Sequence, residues 1–170
     1  MRRIALVVAV VFCTSHCSSL PAPNPPAAAQ TSIASSEQAL VQRVVDGDTF
    51  IALVNGRRFR VRLIGVNTPE TVKPRSPVEC YGPESSAFAK ATLTGKTVRL
   101  VYDVDRYDRY GRTLAYVYLG KIFFNLLLVQ RGFAVVETVP PDVADVTQFV
   151  AAQRAARTAH LGLWRACIRA

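Results

Sequence analysis

Two short groups of polar residues carry the clearest chemical signal in this 170-residue chain. Asp46 and Asp48 enclose a single glycine, and Asn67 and Glu70 form a second group further along, with Arg62 a few residues before it. Carboxylate and amide oxygens are the ligands that hard metal ions prefer, and an arginine can bind a phosphate through two parallel hydrogen bonds. If the fold brings these five side chains together, they can bind a metal ion and a phosphate group.

A predicted β-hairpin would bring them together. Two β-rich runs, residues 49–54 and 58–66, flank an Asn-Gly pair, which is a strong signal for a two-residue turn. In an antiparallel hairpin the start of the first strand lies beside the end of the second strand. We therefore expect the two aspartates to lie close to Asn67 and Glu70, with Arg62 on the second strand.

Oxygen donors in this region define a candidate metal site. The side chains of Asp48 and Asn67 and the carbonyl of Thr68 are candidate ligands, and Asp46 is either a fourth ligand or only a turn-forming residue. Oxygen-only sites select calcium or magnesium. Calcium tolerates irregular coordination by mixed carbonyls and carboxylates, so Ca²⁺ is the predicted cofactor.

The remaining polar residues suit phosphodiester hydrolysis, which needs charge neutralisation and an oriented water. Arg62 and Arg112 can each fork onto phosphate oxygens, and Glu70 can either accept a proton from the attacking water or orient it. Arg112 follows a glycine in a tight turn and could instead merely pair with Asp108.

A basic loop follows this region. Lys73 and Arg75 lie in the irregular segment 70–79, where they could hold a nucleic acid strand over the site or remain solvated charges. The chain has a net charge of +9 and a pI near 9.9, which favours a polyanionic partner, either nucleic acid or an anionic surface.

Histidine is scarce, and this excludes several classes of enzyme. The chain has two histidines, of which His16 lies within residues 1–19, a predicted export signal, so only His160 remains in the mature chain. Phosphodiesterases built on paired histidines and zinc sites of the His/Cys type are excluded, and Ser-His-Asp hydrolases are excluded unless His160 alone serves.

The start of the chain predicts export. Residues 1–19 combine two arginines, a short apolar run and small residues, a pattern typical of an export signal. Cys17 raises the alternative of a lipid-modified N-terminus, although His16 stands where lipoprotein signals usually carry a small residue. Residues 20–37, rich in proline and alanine, indicate a linker, and residues 38–170 a single domain. The predicted location is secreted or in the cell envelope.

Two cysteines remain after removal of the signal. Cys80 and Cys167 in an exported protein predict one disulfide, with two unpaired buried thiols as the alternative.

The pattern of elements predicts an α+β fold. Helices are expected over residues 85–93 and 125–131, followed by a last helix that Asp142 or Asp145 caps and that carries Val150 on its apolar stripe. The short β-rich runs around them allow a small barrel.

Four motifs in order resemble the staphylococcal nuclease (thermonuclease) family over most of residues 42–164. They are Asp46-Gly47-Asp48-Thr49, the run from Arg62 to Glu70, Tyr81-Gly82-Pro83-Glu84, and Asp108-Arg109-Tyr110-Gly111-Arg112. The resemblance implies an OB-type five-stranded β-barrel with about three helices. It also implies Ca²⁺-dependent hydrolysis of DNA and RNA to products with 3′-phosphates.

The resemblance also implies roles for individual residues. Asp48, Asn67 and the Thr68 carbonyl match its metal ligands, Asp46 matches a nearby acid, Arg62, Glu70 and Arg112 match its catalytic residues, and Tyr110 matches a tyrosine beside the nucleotide phosphate. Two positions depart from the family pattern. Asn67 stands where the family commonly has Asp, which lowers the charge of the metal site, and Thr138 stands where its type member stacks a base on a tyrosine.

Three functional hypotheses follow. The first is an exported nuclease acting on DNA and RNA as a monomer without a protein partner. The second is a non-catalytic nucleic-acid-binding OB-fold module of the cell envelope, against which the presence of Glu70, Arg62 and Arg112 argues. The third is a lipid-anchored protein whose basic face binds anionic surfaces, which explains the charge but not the acids.

Overall fold

The computed structural model describes residues 36–71 and 77–167, and its framework is an antiparallel β-meander. The predicted signal over residues 1–19, Cys17, Lys73 and Arg75 lie outside the described residues. The strands are β1 (Ser36–Asp46), β2 (Thr49–Val54), β3 (Arg57–Leu63), β4 (Val66–Asn67), β5 (Thr97–Val101), β6 (Thr113–Leu119), β7 (Ile122–Phe123) and β8 (Val135–Val136). The helices are α1 (Gly82–Leu93), α2 (Phe124–Gln130), α3 (Val146–Thr158) and α4 (Leu163–Ala166).

Five strands close into a barrel. The strands of the large sheet follow the order β3-β2-β1-β5-β6-β7, and an additional parallel pairing of β3 with β6 closes the ring. Strands β4 and β8 form a separate two-stranded sheet. The predicted fold class, an α+β OB-type five-stranded barrel with about three helices, is confirmed, with the four-residue α4 as an extra short helix.

The predicted hairpin forms, but its second strand ends early. Asn55 and Gly56 join β2 to β3 with φ angles of +49° and +77°, as a tight hairpin turn requires. The register pairs Thr49 with Arg62. The strand expected over residues 58–66 ends at Leu63. A turn follows, and β4 then pairs antiparallel with β8. This change of direction carries Asn67 away from the barrel wall.

The core fills the barrel and extends under helix α2. Phe50 and Val61 from the hairpin and Phe124 and Leu128 from α2 are fully buried. Asn125 is the buried polar link between α2 and the barrel, since its Nδ2 donates to the carbonyls of Ile64 and Ala115 and its Oδ1 accepts the N–H of Val117. These bonds satisfy a buried amide and fix the turn that follows β3.

Helices α3 and α4 form the C-terminal part of the domain. Helix α3 buries Phe149 and Ala156, whereas Val150, expected on its apolar stripe, is exposed. Cys80 and Cys167 are joined in a disulfide with a Cα–Cα distance of 5.9 Å, which connects the residue after α4 to the segment before α1. Among the described residues, no helix is both long and apolar enough to cross a membrane.

Candidate active site

A cleft of about 760 Å³ opens where the β1–β2 turn and the end of β3 meet two loops, which contribute lining residues from 105–112 and 137–142. Most of the predicted site residues line it together: Asp46, Asp48, Arg62, Asn67, Glu70, Tyr110 and Arg112. Thr68 is buried and does not line the cleft. The two loops of the far wall are joined, since the N–H of Asp105 donates to Asp142 Oδ1 at 2.8 Å.

Asp48 is the buried centre of the acidic side. Its Oδ2 accepts hydrogen bonds from the N–H and the hydroxyl of Thr68, both at 2.9 Å, and its Oδ1 accepts the hydroxyl of Thr49 at 2.9 Å. Gly47 lets this turn approach Thr68 closely, because a Cβ at this position would lie 2.8 Å from the Thr68 side chain. The glycine between the two aspartates therefore has a steric reason.

Arg62 is buried at the end of the barrel, although the other arginines of the same strand are exposed to solvent. The flanking Arg58 and Arg60 are exposed, but the side chain of Arg62 is only 10% exposed. Its Nη1 donates to the carbonyl of Val66 at 2.7 Å and lies 3.1 Å from Asp48 Oδ2. These contacts hold the guanidinium in one place at the floor of the cleft.

The other guanidinium nitrogen of Arg62 has two further partners. Nη2 donates to Asn67 Oδ1 at 3.1 Å and to Glu137 Oε2 at 2.9 Å. Arg62 thus contacts both Asp48 and Asn67, two residues that were expected to lie close together, and it also contacts Glu137, a carboxylate that the sequence did not point to.

Asp46 supports the segment that carries Glu70. Its carboxylate accepts the N–H and the hydroxyl of Thr71, at 3.2 and 2.8 Å, and the N–H of Gly47 at 2.9 Å. Burial raises the pKa of the Asp46 carboxyl, and a hydrogen bond with Glu70 raises it further, against the lowering effect of the Thr71 and Gly47 donors.

Reciprocal hydrogen bonds brace the backbone of Glu70. Its N–H donates to Glu79 Oε2 at 3.0 Å, and its carbonyl accepts the N–H of Glu79 at 2.9 Å. These bonds join Glu70 to Glu79, so the backbone of Glu70 is held by two hydrogen bonds although it lies outside the sheet.

Arg112 pairs with Asp108 and also lines the cleft, so this pairing is compatible with the predicted contact of Arg112 with a phosphate. Its Nε donates to Asp108 Oδ2 at 2.6 Å, and its backbone N–H donates to Asp108 Oδ1 at 2.9 Å. Burial by itself raises the pKa of Asp108, but these bonds and the N–H of Tyr110 outweigh it and lower the pKa. Asp108 therefore organises the turn that presents Arg112.

Tyr110 stands at the rim of the cleft. Its ring is 68% exposed and stacks against the guanidinium groups of Arg109 and Arg112, at 4.8 and 5.4 Å from the ring centroid. Its hydroxyl accepts a hydrogen bond from Arg109 Nη2 at 2.7 Å. This position suits contact with a nucleotide entering the cleft.

The donor set of the acidic side suits a hard cation. Asp48 and Asn67 line the cleft, although their side-chain oxygens already accept hydrogen bonds from Thr49, Thr68 and Arg62. No histidine or cysteine is among the described residues that line it. Within residues 36–71 and 77–167, no three His, Cys, Asp or Glu side chains form a metal-binding group. The fit to calcium thus rests on oxygen chemistry with few charges, and the ligand roles of Asp48, Asn67, Asp46 and the Thr68 carbonyl all stay predictions.

Sequence reasoning missed several residues of the cleft, among them Glu137 and Tyr107. Glu137 follows β8, and the pairing of β8 with β4 brings it opposite Gly65 and within reach of Arg62. Tyr107 is 55% exposed on the same loop as Tyr110. A tyrosine so close to the Asp108 motif is a signal that could have been used, whereas nothing in the sequence spacing points to Glu137.

The fold and the cleft together define an OB-type domain whose cleft brings two arginines beside acidic side chains, and comparison with known proteins identifies its family. The family model described as "Staphylococcal nuclease homologue" matches residues 60–166, more than half of the chain. A thermonuclease of Staphylococcus intermedius is 48% identical over 128 residues, which cover 75% of this chain and 76% of that protein. A thermonuclease of Staphylococcus hyicus is 47% identical over 124 residues, 73% of each chain.

A more distant relative comes from another genus. Endonuclease YncB of Bacillus subtilis (strain 168) is 36% identical over 126 residues, covering 73% of this chain and 60% of that protein. The chain belongs to the staphylococcal nuclease family. The predicted family and the predicted class of enzyme, a nuclease hydrolase, are confirmed.

Proposed function

We propose that the protein is an exported, Ca²⁺-dependent nuclease that hydrolyses the phosphodiester bonds of DNA and RNA with little sequence specificity and leaves 3′-phosphates. The observation that carries the proposal is that one cleft contains Glu70, Arg62 and Arg112. An acid beside two arginines supplies the base and the charge that hydrolysis of a phosphodiester needs.

Each residue has a definite part in the proposed reaction. Arg62 and Arg112 donate hydrogen bonds to the phosphate oxygens and stabilise the charge that builds up as water attacks the phosphorus. Glu70 accepts a proton from that water. The bond from phosphorus to the 5′-oxygen breaks, the leaving oxygen takes a proton from solvent, and the phosphate stays on the 3′-oxygen.

Calcium would be held on the acidic side of the cleft, by Asp48 and Asn67 with Asp46 and the Thr68 carbonyl as further candidates. When bound, the ion supplies charge neutralisation at the phosphate. The buried hydrogen bonds of Asp48 fix the direction of its carboxylate before any ligand arrives.

Low sequence specificity follows from the kinds of side chain present. Arginines bind phosphates, which are the same at every nucleotide, and exposed aromatic rings can stack on any base. Tyr107 and Tyr110 are exposed at the cleft, whereas Thr138 is exposed but does not line it. Base stacking, if it contributes, therefore falls to the two tyrosines.

A digestion assay tests the function. Purified protein should degrade both DNA and RNA in Ca²⁺ and lose this activity in excess chelator, and it should regain activity when Ca²⁺ is restored. Released fragments should carry 3′-phosphates, detectable by phosphatase treatment and mass spectrometry. Binding without hydrolysis under all these conditions would contradict the proposal and support a non-catalytic binding module.

Export is tested on the protein recovered from the expressing cells. Its intact mass should show removal of a signal near residue 19, or a lipid on Cys17 if the anchored alternative holds. Recovery of the full-length chain from the cytosol alone would contradict export.

Replacing Asn67 with a carboxylate tests the metal site. Ligand charge tunes calcium affinity, so Asn67→Asp should tighten Ca²⁺ binding about tenfold, equivalent to ~1.4 kcal/mol. Isothermal titration calorimetry in the absence of nucleic acid measures the change. Asn55→Asp makes the same chemical change in the exposed hairpin turn and should have no effect. If Asn67→Asp binds calcium no more tightly, Asn67 is not a ligand.

A further inference from the structure

Glu137 is a carboxylate in the cleft to which no role has been assigned. Its Oε2 accepts a hydrogen bond from Arg62 Nη2 at 2.9 Å, and its side chain is 47% exposed, compared with 10% for Arg62. Its backbone N–H donates to the carbonyl of Gly65 at 3.1 Å, so the main chain is fixed beside the cleft while the carboxylate reaches into it.

The two ends of the Arg62 guanidinium are held differently. Nη1 is bound by buried groups, namely the carbonyls of Leu63 and Val66, at 3.3 and 2.7 Å, and the carboxylate of Asp48. Nη2 meets more exposed acceptors, the amide oxygen of Asn67 and the carboxylate of Glu137. A phosphate approaching Arg62 from the cleft would therefore take hydrogen bonds from Nη2.

We propose that Glu137 occupies the phosphate-binding position on Arg62 and that the substrate phosphate displaces it, so that Glu137 sets the affinity for nucleic acid. The inference rests on the proposed function and makes Glu137 a positioning residue that acts through Arg62. In the free protein its carboxylate balances the charge of Arg62. In the complex the negative phosphate takes its place, because two anions cannot share one Nη2 at low cost.

The exposure of Glu137 makes this exchange inexpensive. A partly exposed ion pair contributes little stability, because water screens it and can solvate the released carboxylate. The buried contacts of Nη1 remain when Glu137 leaves, so the guanidinium keeps its orientation. Removing the competing charge should therefore strengthen phosphate binding about threefold to tenfold.

The test compares Glu137→Gln and Glu137→Ala with the wild type. A fluorescein-labelled single-stranded oligonucleotide is titrated in EDTA, where no hydrolysis occurs, and inorganic phosphate is used as a competitor. Both variants should bind the oligonucleotide and phosphate more tightly, and in Ca²⁺ their KM for DNA should fall more than their kcat changes. Glu84→Gln is the matched control, because it removes one negative charge at an exposed position outside the cleft.

Three results would overturn the inference. The first is weaker or unchanged binding in both Glu137 variants, with a loss confined to kcat. The second is an equal gain in binding for Glu84→Gln, and the third is a gain for Glu137→Gln that persists when Arg62 is also replaced by Gln. Either of the last two would show a general effect of net charge. Binding is measured in EDTA and does not depend on hydrolysis. If the wild type binds nucleic acid but never hydrolyses it, the proposed function is wrong, and the binding comparison still tests the role of Glu137.

Discussion

Glu70→Gln is expected to lower kcat by about 10²- to 10⁴-fold while the fold remains intact, because a positioned general base contributes that much to the rate. Gln is similar in size to Glu, and the bonds between residues 70 and 79 use the backbone of Glu70, so the loop should stay in place. Initial rates on DNA in saturating Ca²⁺ measure the loss, and circular dichroism with thermal unfolding checks the fold.

The two arginines should give losses of similar size, since each is expected to stabilise charge on the phosphate. Arg112→Gln is the cleaner variant. Arg62 is enclosed by two carboxylates and two carbonyls, so removing its charge should also lower stability, and Arg62→Lys is the better choice there. Glu84→Gln and Arg154→Gln are matched controls at exposed positions outside the cleft.

Wild-type rates in a folded Glu70→Gln variant would rule out the role of Glu70 as the general base.

Loss of the disulfide is expected to lower the free energy of unfolding by about 4 kcal/mol, and by less if the reduced chain retains structure. The bond closes a loop of 87 residues in sequence separation, and a long loop loses the most conformational freedom in the unfolded state. Urea unfolding of a Cys80→Ser and Cys167→Ser double variant measures the effect. Activity at low temperature should persist, because neither cysteine lines the active-site cleft.

The pairing itself is checked on exported protein. Alkylation without reduction, followed by mass spectrometry, should modify neither cysteine, and reduction should expose both. Two alkylated thiols before reduction would refute the disulfide, and equal unfolding free energies for the wild type and the double variant would refute its contribution to stability.

The sequence by itself determined the β2–β3 hairpin and predicted the chemistry of the site beside it. Turn formation is a local property, so an Asn-Gly pair between two β-rich runs was sufficient to predict the hairpin that pairs Thr49, next to Asp48, with Arg62. The side-chain types already limited the site to oxygen ligands, arginines and one acid. Family membership followed from four motifs in order, which is more specific than any of them alone.

Only the tertiary structure decided how the site is assembled. The parallel pairing of β3 with β6 depends on contacts between residues distant in sequence, so no local pattern predicts the closure that buries Arg62. The end of β3 at Leu63 and the pairing of β4 with β8 also depend on contacts between residues distant in sequence. They bring Glu137 to Arg62 across a separation of 75 residues, and a contact of that range leaves no periodicity in the sequence because it is set by the packing of whole strands.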